Sequence, residues 1–181
     1  MSQDVIVLTG VKETLSALKQ FDKDALKEFN KVINSELRGA KKDAQSYVSV
    51  NPPLSGWNTK PARNPRTRGG AGWPAWDQSI IKAGITSSKA EGKVNRAQGY
   101  TTSAGALKNR SAAGVIYELA GRTSRGNGTF ISNLENKEGN ASRLIWKSVD
   151  KNRDRIVRKV FDALEDAKRA LQRNLSMRRA E

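Results

Sequence analysis

SRLIWKSVDKNRDRIVRKVFDALEDAKRALQRNLS, residues 142–176, is the most regularly patterned stretch of this chain. Leu144, Ile145, Val149, Ile156, Val160, Leu164, Leu171 and Leu175 recur at steps of roughly three, four and seven, which lines one face of an α-helix. Asn140 or Ser142 is placed to cap it. Arg178 and Arg179 follow at the C-terminal end, where the helix dipole favours cations. A helix of more than about 30 residues extends roughly 45 Å at 1.5 Å per residue. One small core does not need that length.

A second periodic run lies near the start. Leu26, Phe29, Ile33, Leu37, Ala40, Ala44 and Tyr47 step by three or four, with Asp22 or Asp24 at the positive end of the dipole. Lys23, Lys27, Lys31, Lys41 and Lys42 fall mostly off that face, so the spacing predicts a core helix with a solvated back. Asn51-Pro52-Pro53 must end it. Before it, the β-branched run Val5–Leu8 breaks at Thr9-Gly10. It reads as a strand turning into a helix through Leu15 and Leu18.

Between the two long helices the pattern is short and interrupted. Residues 52–77 hold all five prolines, three of the four tryptophans and no acid before Asp77. We read them as a long loop or arm, of a length that is functional or disordered when found in a compact domain. Residues 79–86 (SIIKAGIT) read as a strand with a glycine bulge. Residues 87–113 are small, polar and basic and read as a long polar hairpin or loop. Residues 114–121 (GVIYELAG), apolar and bounded by glycines, read as another strand. The expected fold is α+β: one domain over 1–181, a small, mostly antiparallel sheet flanked by an N-terminal helix and a long C-terminal helix, with long loop insertions.

Composition narrows the chemistry. The 181 residues carry 33 Lys+Arg against 18 Asp+Glu, a formal charge of +15, and contain no histidine and no cysteine. That removes thiol nucleophiles, Ser-His-Asp triads, disulfides and the common zinc ligands. Gly69-Gly70-Ala71-Gly72 lacks the Lys-Ser/Thr ending of a phosphate-binding loop. Asp162, Glu165 and Asp166 share a helical turn, but beside Lys168 and Arg169 they suit i,i+3 and i,i+4 pairs. The expectation is a non-enzymatic chain without cofactor or metal. Val5–Leu8 is too short for a signal peptide or membrane span, which points to synthesis in a cytoplasm.

The charge is uneven: residues 1–50 carry a net +1, 51–128 a net +9 and 129–181 a net +5. A polyanion, an acidic protein surface or an anionic membrane would suit it. Arg63, Arg66 and Arg68 alternate with Pro and Gly, and Trp57, Trp73 and Trp76 flank them. Interleaved arginines and aromatics serve single-stranded nucleic-acid binding. The same residue types dominate protein–protein hot spots. A third reading folds the tryptophans onto the core and leaves the arginines solvated. Of the three, the partner-docking arm is preferred.

The order of elements adds a resemblance. Val5, Val7, Gly10, Leu15 and Leu18 form a short "V-x-V-x-G-x-x-x-x-L-x-x-L" opening. A long helix then ends at proline, followed by Ser79-Ile80 and by a "Val-x-Tyr-Glu-Leu-x-Gly" element at Val115, Tyr117, Glu118, Leu119 and Gly121. Over residues 5–175 this resembles the head–tail connector and tail-completion family of long-tailed bacteriophages, small α+β proteins of the virion neck. The inserts at 52–77 and 87–113 depart from the family's pattern. The resemblance implies a structural virion protein, made in the host cytoplasm. It would assemble with itself as a ring, between head-closure proteins and tail-terminator or tail-tube proteins. Genomic DNA would pass through the channel with non-specific contact, and no membrane would be involved. The rival is a basic nucleic-acid-binding protein working through its Arg/Trp-rich middle.

Overall fold

The computed structural model describes residues 16–20, 23–59, 74–89, 99–101, 105–122 and 128–180. The expected strand at Val5–Leu8, Arg63, Arg66, Arg68 and Trp73 lie outside the described residues. Residues 16–20 are helical and Leu18 is fully buried. Five helices and three strands follow: α1 (Lys23–Ser46), α2 (Gln78–Gly84), β1 (Ile85–Lys89), β2 (Gly99–Thr101), β3 (Gly105–Asn109), α3 (Ala112–Leu119), α4 (Thr129–Glu138) and α5 (Ile145–Ala180).

The fold is α+β, a small antiparallel sheet packed on the N-terminal helix and the long C-terminal helix. The strand order is β1-β3-β2, both pairings being antiparallel. β1 lies mainly against α1 and β2 against α5, so the sheet straddles the helix pair. The paired helices run antiparallel, since Ser148 Oγ donates to Ala40 O and Arg155 Nε meets Glu36 Oε2 at 3.0 Å. Phe29, Ile33, Leu37, Ala40 and Ala44 from α1 join Ile145, Val149, Ile156, Val160 and Leu164 from α5 in one core. These are the residues the periodicity selects, because a face recurring every 3.6 residues must be covered to be stable.

The middle of the chain departs from expectation. Residues 78–84 are helical, and only Ile85 onward is strand. Asp77 decides this: its carboxylate accepts from Ser79 N at 2.8 Å and Ile80 N at 3.1 Å, capping α2. Residues 112–119 are likewise a helix, capped by Ser111 Oγ, which accepts from Gly114 N at 3.0 Å. Short apolar runs suit either state, and the polar residue ahead of each selects helix.

Within 87–113, expected to be a hairpin or loop, β2 and β3 pair antiparallel and β3 is the central strand of the sheet. Its Gly105, Ala106, Leu107 and Asn109 are buried. α4 answers to no sequence expectation. At Gly84 an added Cβ would stand 2.8 Å from the backbone N of Ser111, so glycine permits the end of α2 to touch the start of α3.

Candidate functional site

Three features stand out from this frame: an aromatic clasp at the base of the expected arm, a buried ionic knot where α3 meets α5, and an outward surface of charge and isolated apolar side chains.

The clasp begins with Trp57 and Trp76, both buried. Their rings meet edge to face with centroids 5.1 Å apart. Trp57 also meets Phe130 at 5.4 Å, and Trp76 meets Tyr117 at 5.2 Å. Trp57 Nε1 donates to Pro74 O at 2.8 Å, Trp76 N to Asn58 O at 2.7 Å and Trp76 Nε1 to Ser49 O at 3.2 Å. Each indole therefore satisfies its N–H while its ring fills the core, as buried tryptophans require. This corrects the docking assignment for Trp57 and Trp76, whose rings are spent within this chain. They instead hold together the points where the chain leaves toward residue 60 and returns at Pro74.

The knot centres on Glu118 and Arg143, each 4% exposed. Glu118 accepts from the backbone N–H groups of Leu144 and Trp146, the latter at 3.0 Å, and so caps α5 from 26 residues away in sequence. The expected caps are not used: Ser142 has φ +80° and its N–H donates to Glu118 O at 2.7 Å. Arg143 donates to Gly139 O (3.0 and 2.6 Å), Tyr117 O (2.7 Å) and Ala120 O (3.0 Å). Its guanidinium lies 5.6 Å from the Tyr117 ring centroid. Tyr117 in turn donates its hydroxyl to Glu138 Oε2 at 3.0 Å.

Burial raises the Glu118 pKa above the usual carboxylate value, while the N–H groups at the head of α5 and nearby Arg143 hold it down. Burial chiefly, then the bond to Glu138, raises the Tyr117 hydroxyl. Burial lowers the Arg143 guanidinium, and the surrounding Tyr117, Glu135, Glu118 and Glu138 oppose it. Perturbed groups often mark chemistry. Here both Glu118 oxygens accept from the backbone and Arg143 is directed at three carbonyls, so the knot serves architecture. Gly121 fits it closely: its φ is +91°, and a Cβ there would stand 2.1 Å from Glu135 Oε1.

No pattern in the sequence singles out Arg143, and Glu118 figures there only within a motif. The signal for Glu118 is a lone acid within the apolar run GVIYELAG, since a carboxylate in such company needs donors.

The outward surface consists of the solvent side of α1 and the far part of α5. Ala167 is the last described side chain of α5 that is buried. Beyond it Gln172, Arg173, Ser176 and Met177 are exposed, and Phe161 projects from the same helix at 47% exposure. Ile80 and Val50 are also exposed, at 62% and 74%. Among the described residues no helix is long and apolar enough to cross a membrane. Compared with protein-family models, curated proteins and solved structures, the chain matches none.

Proposed function

We propose that this chain is a non-enzymatic structural subunit of the neck of a long-tailed bacteriophage. It assembles as a ring that completes the tail, joins it to the head and lets the genome pass. The reading begins from the motif resemblance at residues 5–175, and the observation that supports it best is the overhang of α5. That helix has 36 residues against 24 in α1, and it continues about 20 Å past Ala167 at 1.5 Å per residue. Among the described side chains of α5, Ala167 is the last that is buried, and Gln172, Arg173, Ser176 and Met177 beyond it are exposed. Burying an amphipathic face is what stabilises such a helix. A neighbouring copy provides the missing surface when the contact is head to tail and its rotation closes. The partners are further copies of the chain and the adjoining head-closure and tail-terminator or tail-tube proteins, with the virion as its location.

The test is assembly. Purified chain, examined by analytical ultracentrifugation and negative-stain microscopy, is expected to form closed rings, alone or with adjoining neck proteins. Removing residues 168–181 is expected to abolish rings while leaving a cooperative melt and the circular dichroism of the remaining helices. A chain that stays monomeric with every neck partner, and is absent from purified particles, overturns the reading.

A further inference from the structure

The charges of α1 are sorted around its circumference. On an ideal helix of 3.6 residues per turn, Lys23, Lys27, Lys31, Arg38, Lys41 and Lys42 fall within an arc of roughly 100°. Asp24, Glu28, Glu36 and Asp43 lie to one side, with Asp24 at the margin of the arc. Two of these acids are drawn into the seam with α5. Glu36 meets Arg155 at 3.0 Å, and Asp43 accepts from Asn152 at 2.6 Å and lies 3.8 Å from Lys151.

The basic arc is left on the solvent side. Lys27 and Lys31 touch Asp24 and Glu28 at 2.8 and 3.6 Å, but all four side chains are more than two-thirds exposed. Such pairs are weak in water, so a stronger anion displaces them. Lys27, Asn30, Lys31, Asn34, Ser35 and Arg38 together line a shallow groove along this face.

We propose that this face of α1, through Lys27, Lys31 and Arg38 with Lys42 at one end, binds the phosphate backbone of double-stranded DNA without reading bases. Charge complementarity selects the partner. Lys27 and Lys31, and Arg38 and Lys42, stand four apart and so lie about 5–6 Å from one another. The two pairs are set about 10 Å apart along the axis, with Asn34 and Ser35 between them. Duplex DNA offers a regular row of anions, one per about 1.7 Å of axis, and a condensed counterion shell whose release drives binding. The amides of Asn30 and Asn34 and the Ser35 hydroxyl add neutral donors of the kind that fix a duplex by its phosphates and sugars. The inference rests on the ring reading only in identifying this DNA as the genome within the channel. The binding face itself belongs to the free chain.

Fluorescence anisotropy of the full chain with a labelled duplex of arbitrary sequence, titrated over 50–300 mM salt, tests it. The triple change Lys27→Gln, Lys31→Gln and Arg38→Gln is expected to weaken binding at least about tenfold. The log–log salt slope should fall by about 2–3, near 0.9 for each phosphate left without its cation. An equal removal of charge from α5, R153Q with R158Q and K159Q, is expected to change both far less. If the triples act alike, only bulk charge matters and the assignment is wrong. It is equally wrong if the wild-type chain ignores DNA, or if polyglutamate competes with it at equal charge concentration. Lysine-acetylation footprinting of the wild-type chain, which does not depend on a variant folding, should show Lys27 and Lys31 protected by the duplex. Unprotected lysines overturn the proposal. DNA binding through α1 by a chain that never forms rings would sink the neck reading and leave this inference standing.

Discussion

Glu118 lies in the apolar segment GVIYELAG and is nevertheless ionisable, buried and 26 residues from the helix it caps. Removing its carboxylate leaves backbone donors of α5 buried without an acceptor and takes one of the anions from around Arg143, where Glu135 and Glu138 remain. Glu118→Ala is therefore expected to cost about 3–5 kcal/mol, read from urea unfolding. The pH dependence has a definite sign. Burial raises this carboxyl in the folded chain, so the folded state holds its proton more tightly than the unfolded one. Its stabilising contribution is complete below the unfolded value and is lost as pH rises through the raised folded value. Comparing wild type with Glu118→Gln over pH 4–7 should show this component falling with rising pH in the wild type and missing from the variant. The opposite slope would mean that the α5 N–H groups and Arg143 outweigh desolvation.

At the scale of elements, the two tryptophans tie four separate pieces together. Trp57 and Trp76 join the segment after α1, the entry to α2, and the α3 and α4 rings of Tyr117 and Phe130. Truncating either buried ring is expected to cost about 3–5 kcal/mol. The double change Trp57→Ala, Trp76→Ala removes a large part of the roughly 5–15 kcal/mol that holds a domain together. The double variant is expected to lose its cooperative melt. If it melts like the wild type and fails only in assembly, the rings are docking residues after all. The α1–α5 seam has a separate polar lock, in which Ser148 Oγ donates to Ala40 O at 2.6 Å and Asn152 bonds Asp43. Ser148→Ala is expected to cost about 0.5–1.5 kcal/mol, the net worth of one hydrogen bond, because Ala40 O keeps its intrahelical donor in α1.

The whole molecule carries +15 and is proposed to stand beside copies of itself. Like charges brought together repel, and at 0.15 M salt only charges within about 8 Å act strongly. Self-assembly without a polyanion should therefore strengthen as salt rises from 50 to 300 mM, measured by sedimentation. Added short duplex DNA should replace the need for salt. Assembly that weakens steadily with salt would indicate interfaces built on opposite charges instead.

Helical periodicity over 26–47 and 144–175 determined by itself two long amphipathic helices, each with one face to bury. The face buried on α1, from Phe29 to Ala44, is the one that period selects. That the two faces meet in one core was decided by the tertiary structure. The absence of histidine and cysteine likewise bounded the chemistry before any coordinates. Tertiary structure decided the rest. SIIKAG and GVIYEL carry no long period, and their helical state depends on caps at Asp77 and Ser111 that compete with a strand the same residues would suit. Arg143 is an ordinary surface residue until α3 and the residue that ends it supply two of its three carbonyl partners, Tyr117 O and Ala120 O. Trp57 and Trp76 look the same in sequence whether they face a partner or the core. Only long-range packing distinguishes the two, since the energy of burying an indole depends on what lies opposite it and not on its neighbours in the chain.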